Sequence, residues 1–414
     1  MKIGALSTRL AGTDGVSLET AKWADVLERM GHQIFYCAGE LDESSRTGRC
    51  IPPMHFRDPA AAAVGRRAFE STQELDRPLD EEIERLAQPL LREMERFVAD
   101  HHIDLLLVEN ALAIPMHLPL GKALADLIVR TGLPTVAHHH DFFWERERFA
   151  SSRVESFLKA HFPFDAPNVR HVVIHSKAGE DLAARRGLGS SVVPNVFDFA
   201  TPPPGMDDFN GDFRRALALG DDQLLVLQPT RVVPRKGIEL AIELLRRLGR
   251  SDAVLVITHE AGDEGLDYLR RLERQAAAAE VNLRYCPELI GPLRQQHADG
   301  RKTYALWDAY PHADLVTYPS SYEGFGNALL EAVYFRCLVV VNRYSVYARD
   351  IAPTGLRLVE LDGAVTDQAV AEVRALLAEP SAAKRRASHN TRVAEEHFSY
   401  EVLEHKLHEL LHSF

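Results

Sequence analysis

The chain has 414 residues, 46% of them hydrophobic, and a formal net charge of -12. That length and apolar content suit two globular domains, each with a core of its own, and the acidic balance excludes the broad basic face that nucleic-acid binding by counterion release requires. Four cysteines, Cys37, Cys50, Cys286 and Cys337, form no C-x-x-C pair and no zinc-type spacing, so they read as free thiols suited to a reducing cytoplasm.

The first residues, 2–7, predict a short strand; no apolar stretch with a cleavage site follows, as a secretory leader would need. Residues 17–30 predict a helix, with Ala21, Ala24, Val26, Leu27 and Met30 at helical spacing and Gly31 as its stop. A strand follows at 33–37. The stretch 40–75 reads as irregular, a flap on the first domain. Residues 79–98 form an amphipathic helix on Leu79, Ile83, Leu86, Leu90, Met94 and Phe97. Its acidic residues Asp80, Glu81 and Glu82 stand at the end that the helix dipole favours for anions. Strands are expected at 104–108, 134–138, 172–175 and 191–194. Short apolar strands separated by helices indicate a parallel sheet covered on both faces. Pro202, Pro203, Pro204 and Gly205 then mark a linker. The alternation restarts with strands at 224–228, 253–258, 281–286, 315–318 and 338–341 and helices at 237–248 and 265–279. A last helix places Leu403, Leu407, Leu410 and Phe414 on one face. No apolar run is long enough to span a bilayer, and the expectation is a soluble cytoplasmic protein.

The fold class is therefore α/β: two Rossmann-like, doubly wound domains facing a central cleft. The first covers 1–196, a hinge 197–215, and the second 216–397, with the helix 398–414 packing back on the first domain. Ligands of such sheets sit beyond the carboxyl ends of the strands. No G-x-G-x-x-G or G-x-x-x-x-G-K-[ST] follows a strand, so neither a dinucleotide cofactor nor a P-loop is supported. His138, His139 and His140 are consecutive on an extended chain and point alternately to opposite faces, which speaks against a metal site built from that run.

Two segments carry chemistry. Residues 230–237 follow a strand and precede a helix, and Arg231 and Lys236 in this loop can meet a pyrophosphate; a solvated basic loop is the competing reading. Residues 318–332 end a strand at Tyr318, turn through Gly324, Phe325 and Gly326, and open a helix near Asn327. Glycine lets a backbone approach a ligand, and a helix N-terminus suits a phosphate. Glu323 lies before this helix and Glu331 more than a turn inside it. They are placed to grip two ends of an extended ligand by accepting hydroxyl hydrogen bonds.

Glu323 and Glu331, with seven residues between them, resemble the E-x7-E signature of retaining glycosyltransferases of the GT-B fold, glycosyltransferase family 4. Arg231 and Lys236-Gly237 match that family's phosphate-binding R-x4-K-G, Asp14-Gly15-Val16 its N-terminal glycine loop, and His140-Asp141 its cleft histidine region; Pro194-Asn195-Val196 is a typical linker entrance. The resemblance implies a hexosyltransferase. Gly15 would approach the donor phosphate, Arg231 and Lys236 would neutralise the departing diphosphate, and the helix opening at Asn327 would assist. Glu323, with the main chain of Gly324, Phe325 and Gly326, would hold sugar hydroxyls, Glu331 the ribose, and His140 the sugar near its anomeric face. Retention would proceed by front-face attack. No cofactor is required on this view; Mg2+ is compatible but not indicated. On the acceptor side the candidates are Arg9, Asp14, Asn110, Asp141, Trp144 and Arg146. For 142–148 the alternative is a helix start with surface charges. The run 7–17 is similar to a subgroup that includes mannosylglucosylglycerate synthases. That likeness implies GDP-mannose as donor, with UDP-glucose next, and a small anionic acceptor such as glucosylglycerate. The expected partners are these two small molecules, with no nucleic acid and no integral membrane segment, and a homo-oligomer is left open. A lipid-linked or polysaccharide acceptor, and a non-catalytic nucleotide-sugar-binding protein, are the alternatives.

Overall fold

A computed structural model describes residues 1–12, 14–42, 46–70, 79–149, 153–220, 222–261 and 265–414. The chain divides into two compact units, Met1–Asn195 with Tyr400–Phe414, and Val196–Ser399.

The first unit is built on seven strands: β1 (Lys2–Ser7), β2 (Gln33–Ala38), β3 (Gly48–Cys50), β4 (Leu105–Glu109), β5 (Thr135–His139), β6 (Val169–Val173) and β7 (Ser191–Val192). Their order is β3-β2-β1-β4-β5-β6-β7, with every pairing parallel. All five residues of β4 are buried, as are all five of β5; helices on both faces explain why these strands read as continuous apolar runs. The helices are α1 (Gly15–Arg29), α2 (Pro59–Phe69), α3 (Leu79–His101), α4 (Leu118–Thr131), α5 (Glu155–His161) and α6 (Ser176–Arg186). Strand order reverses between β1 and β4, so the loops leaving their carboxyl ends diverge there.

The stretch 40–75 is not the irregular flap expected; its residues 43–45 and 71–75 lie outside the described ones. It contributes the edge strand β3 and the helix α2. Asp58 caps α2 by accepting from the amides of Ala60 and Ala61, and Pro59 occupies the first helical position, where its missing N–H costs nothing.

The second unit opens with a short helix, α7 (Phe213–Ala216), and carries β8 (Leu224–Gln228), β9 (Ala253–Ile257), β10 (Asn282–Tyr285), β11 (Ile290–Gly291), β12 (Gln295–Gln296), β13 (Lys302–Ala305), β14 (Leu315–Tyr318), β15 (Val339–Asn342) and β16 (Val359–Leu361). Six of them form a parallel sheet in the order β10-β9-β8-β14-β15-β16, and β11, β13 and β12 make a small separate one. The helices are α8 (Ile238–Leu248), α9 (Asp267–Ala278), α10 (Leu306–Ala309), α11 (Asn327–Tyr334), α12 (Asp367–Ala378) and α13 (Pro380–Phe398). Here the order reverses between β8 and β14. The segment 197–215, expected as a hinge, is part of this unit: Phe213 is fully buried, and the Asn210 amide donates to Asp308 Oδ1 at 3.1 Å.

The last helix, α14 (Tyr400–Leu411), belongs to the first unit. Leu403, Leu407 and Leu410 are buried, the Arg29 guanidinium of α1 lies 4.9 Å from the centroid of the Tyr400 ring, and Lys406 Nζ donates to the Val192 carbonyl at 3.0 Å. Among the described residues no helix is long and apolar enough to cross a membrane.

Candidate active site

In the second unit, the loops after β8 and β14 leave the carboxyl ends of adjacent strands at the point where strand order reverses. Open α/β sheets bind ligands in that position. The two loops are tied together. Ser321 donates to the Arg235 carbonyl through its amide (2.8 Å) and its hydroxyl (3.1 Å). Gly237 has φ +59, and a Cβ there would stand 2.4 Å from the Pro319 carbonyl oxygen, so only glycine allows the approach.

Between the loops, Lys236 donates to Glu323 Oε1, and Arg235 Nη1 lies 3.3 Å from Glu323 Oε2. Lys236 is 8% exposed and Glu323 7%. Burial by itself would raise the Glu323 pKa, but the charge and hydrogen bond of Lys236 outweigh it and hold the carboxyl below its usual range. Burial pulls Lys236 downward, and the Glu323 carboxylate opposes that. The result is an ionised pair with its cation at the base of the loop, next to exposed Arg231.

Past this pair the chain turns into α11. Gly326 takes φ +128; a Cβ there would lie 2.3 Å from the Tyr344 hydroxyl, which donates to the Phe325 carbonyl at 2.7 Å. The N-cap residue of α11, Gly326, has no side chain with which to cap the helix start at Asn327. Glu331 lies on the second turn and is partly buried. Its two oxygens accept from Trp307 Nε1 (3.3 Å) and Tyr310 Oη (3.1 Å). The charge that stands among Leu329, Leu330 and Ala332 thereby has two neutral donors directed at it. The expected donor-side residues Arg231, Lys236, Glu323, Gly324, Phe325, Gly326, Asn327 and Glu331 thus fall on two adjoining loops and one helix.

His259, two residues beyond β9, was not singled out from the sequence. Burial and the charges of Lys236 and Arg231 bring its pKa down to about 4, so it stands beside the basic loop as a neutral imidazole. Only the register of β8 against β9, Gln228 beside Ile257, brings it there, and no local motif announces that pairing.

In the first unit, Asp14 caps α1. Its Oδ1 accepts from the amides of Val16 and Ser17, and its Oδ2 from the Ser17 hydroxyl and from Arg9 Nη2 at 2.8 Å. Gly15 is the exposed first residue of that helix, while Thr13 of the same run lies outside the described residues. Asn110, with φ +59, braces the next strand end: its amide nitrogen donates to Asp141 Oδ1 (2.9 Å), and its oxygen accepts from the His140 amide (3.0 Å). Arg146 Nε donates to Asp141 Oδ2 at 2.7 Å. Trp144 stacks on Phe142 at 4.4 Å between centroids, and the Arg185 guanidinium lies 5.5 Å from its ring centroid. Two 3-10 turns, not a helix start, carry this segment.

The histidine run has more structure than alternation alone suggested. His138 and His140 are two residues apart and share a face of β5 and the loop after it. The last residue of β4, Glu109, bridges them: its Oε2 lies 3.0 Å from His138 Nδ1 and 3.0 Å from His140 Nε2. Glu109 and His138 have no exposure at all. Burial would raise the Glu109 pKa, but the two imidazoles hold it at about 2. Burial lowers His138; in His140 the hydrogen bond and charge of Glu109 overcome the same burial and raise it. Among the described residues this is the one His/Cys/Asp/Glu group whose ligand-type atoms all lie within 4.8 Å of one another. One carboxylate oxygen stands at hydrogen-bond distance from a ring nitrogen of each histidine. His139 faces the other way, its Nε2 2.9 Å from His171 Nδ1.

Solved structures that share this architecture include glycosyltransferases. The Anabaena protein HepE, solved with UDP and glucose, superposes with a TM-score of 0.66 over 100% of both chains at 15% identity. WaaG, a glycosyltransferase of lipopolysaccharide biosynthesis, gives 0.62 over 99% of both at 15% identity. The fold is GT-B. A family profile, Glycosyl transferases group 1, matches residues 210–393. The mannosylglucosylglycerate synthase of Thermotoga maritima is 32% identical over 98% of each chain, and that of Petrotoga mobilis 31% identical over 87% of this chain and 86% of its own. The chain belongs to the GT-B glycosyltransferases, in the group that contains the mannosylglucosylglycerate synthases.

Proposed function

We propose that this glycosyltransferase moves a hexose from a nucleotide-diphosphate sugar to a small anionic sugar acceptor with retention of anomeric configuration, GDP-mannose and glucosylglycerate being the favoured pair and UDP-glucose the next donor. The observation that carries the reading is the buried Lys236–Glu323 pair between two stitched loops, with Arg235 and Arg231 beside it. It fixes a cation where a diphosphate is expected and a carboxylate where sugar hydroxyls are expected. The names of the two relatives support the choice of substrates.

In this reading Lys236, Arg231 and the start of α11 at Asn327 take up the negative charge of the departing diphosphate, and the Gly15 amide approaches a donor phosphate. Glu323 and the main chain of Gly324, Phe325 and Gly326 bind sugar hydroxyls. Glu331, aligned by Trp307 and Tyr310, binds the ribose. His140 hydrogen-bonds the sugar. Arg9, Asp14, Asn110, Asp141, Trp144 and Arg146 shape the acceptor side. Since Arg9 pairs with Asp14 and Arg146 with Asp141, the acceptor's anionic group would compete with a carboxylate for either guanidinium. The bond from the anomeric carbon to the phosphate oxygen breaks, the acceptor oxygen bonds to the same face of that carbon, and the acceptor's proton passes to the leaving phosphate. Fixed cations supply the charge neutralisation, so the scheme uses no resident metal. The four free thiols suit a cytoplasmic enzyme.

A thermal-shift panel of GDP, UDP and ADP and their sugars, on wild type and Glu331→Ala, tests the donor reading. One nucleotide should stabilise the wild type, by roughly 2.7 kcal/mol at a hundredfold excess over Kd, and lose most of that effect in the variant. A wild type indifferent to every nucleotide would contradict it.

A further inference from the structure

Glu109, His138 and His140 form an enclosed cluster that the transfer scheme leaves without a role for its carboxylate. An ionised carboxylate accepts and cannot donate, so both facing ring nitrogens must carry hydrogen: His138 Nδ1–H and His140 Nε2–H. That assigns the tautomers. His138 stacks on Trp23 at 4.1 Å, and its Nε2 is buried without a partner, as suits a neutral ring held in place by packing. His140 differs. With Nε2 committed to Glu109, its remaining polar atom is Nδ1, which has no hydrogen bond among the described residues, and the residue keeps 9% exposure.

The charges around His140 favour its imidazolium form. Glu109 faces it from β4, Glu19 from α1, and Asp141 follows it in sequence. Against these stand the neutral ring of His138, Lys22 paired to Glu19 at 3.0 Å, and Arg146 paired to Asp141. A protonated ring offers Nδ1–H as a donor. A lone imidazolium near an anomeric carbon that gains positive charge would oppose the reaction; one paired to a buried carboxylate presents a donor from a unit of no net charge.

We propose that Glu109 is a positioning residue of the transfer: it bridges His138 and His140, fixes the His140 ring with Nδ1 as the donor to the sugar, and offsets the charge of that ring. The proposal rests on the hexosyl transfer proposed above.

The experiment compares wild type, Glu109→Gln, His140→Ala and the double variant in steady-state transfer across pH. It also follows the two rings by NMR titration of histidine-labelled protein. Glu109→Gln should lower kcat by about tenfold to a hundredfold, the range for groups that orient a site histidine, while KM for the donor changes little. Its pH profile should shift to lower pH, and the double variant should be no slower than His140→Ala. In wild type, His140 should titrate above His138. Losses that multiply in the double variant, or an active wild type with Glu109→Gln unchanged in rate and pH profile, would overturn the role while leaving the transferase reading intact. A wild type inactive with every nucleotide sugar would strike both. Should Glu109→Gln fail to fold, the wild-type titration decides: His140 titrating below His138 overturns the bridge.

Discussion

Lys236 and Glu323 each bury a charge that neither would bury alone. Removing one partner of such a pair leaves the other uncompensated, which costs up to about 3–5 kcal/mol, less whatever Arg235 retains on Glu323. Lys236→Met should therefore lower the urea midpoint of the second unit and cut kcat by about 10²–10³, the cost of losing one preorganised group that meets developing charge. An active variant of wild-type stability would contradict the assignment. A second prediction concerns His139 and His171, which touch across β5 and β6. Burial lowers both, His171 to about 4 and His139 well below 6.5. A depressed histidine contributes stability that is complete above the unfolded value of about 6.5 and is lost as pH falls toward 4. His171 alone would account for about 3 kcal/mol across that window. Unfolding free energy measured between pH 4 and 7 should fall toward acid in wild type and fall less in His171→Phe. At this scale the grouping of the expected donor-side residues was legible, because Arg231 to Gly237 and Glu323 to Glu331 are each contiguous in sequence and the structure sets the two segments side by side. The Glu109 cluster was not: its members come from neighbouring strands 29 and 31 residues apart, and only the i, i+2 spacing of His138 and His140 on a strand hinted that two rings share a face.

At the scale of elements, the β14-to-α11 turn depends on Gly326. Its φ of +128 and the 2.3 Å that would separate a Cβ from the Tyr344 hydroxyl make Gly326→Ala a change of backbone as well as of volume. A strained site of this kind costs of order 1–3 kcal/mol. The variant should melt lower and lose nucleotide-induced stabilisation, while Tyr344→Phe should soften the turn by removing only the bond to Phe325. A Gly326→Ala protein that binds nucleotide as wild type does would refute this account of the turn. Most strands of the two main sheets were readable because each is a short apolar run bounded by polar residues, and their ends moved by only a few positions; the three-residue edge strands β3 (Gly48–Cys50) and β16 (Val359–Leu361) were not foreseen. The stretch 40–75 was misread since α2 (Pro59–Phe69) is rich in alanine and has little apolar periodicity; its Asp58-Pro59 start was the available signal. The small β11-β13-β12 sheet consists of strands of two to four residues, too short for any period to show.

For the molecule as a whole, two units each wind around a parallel sheet, and the chain returns to the first unit at its end. Three buried leucines of α14 pack there, and burying a leucine is worth about 1.5–3 kcal/mol. Deleting residues 400–414 should therefore lower the first unit's melting transition and leave the second unit's in place, as read by calorimetry. Two doubly wound sheets were predictable from alternation alone, while the proline-rich segment, which looks like a free hinge, is tied to the second unit through Asn210 and Phe213. Family membership and fold define a glycosyltransferase, and the central claim beyond them is retained transfer to an anionic sugar. The most direct test is proton NMR of the product made from GDP-mannose and glucosylglycerate. The account predicts a new anomeric signal with the same configuration as the donor sugar, together with released GDP. An inverted anomer would contradict the mechanism, and no product from this pair or from UDP-glucose would contradict the substrate assignment.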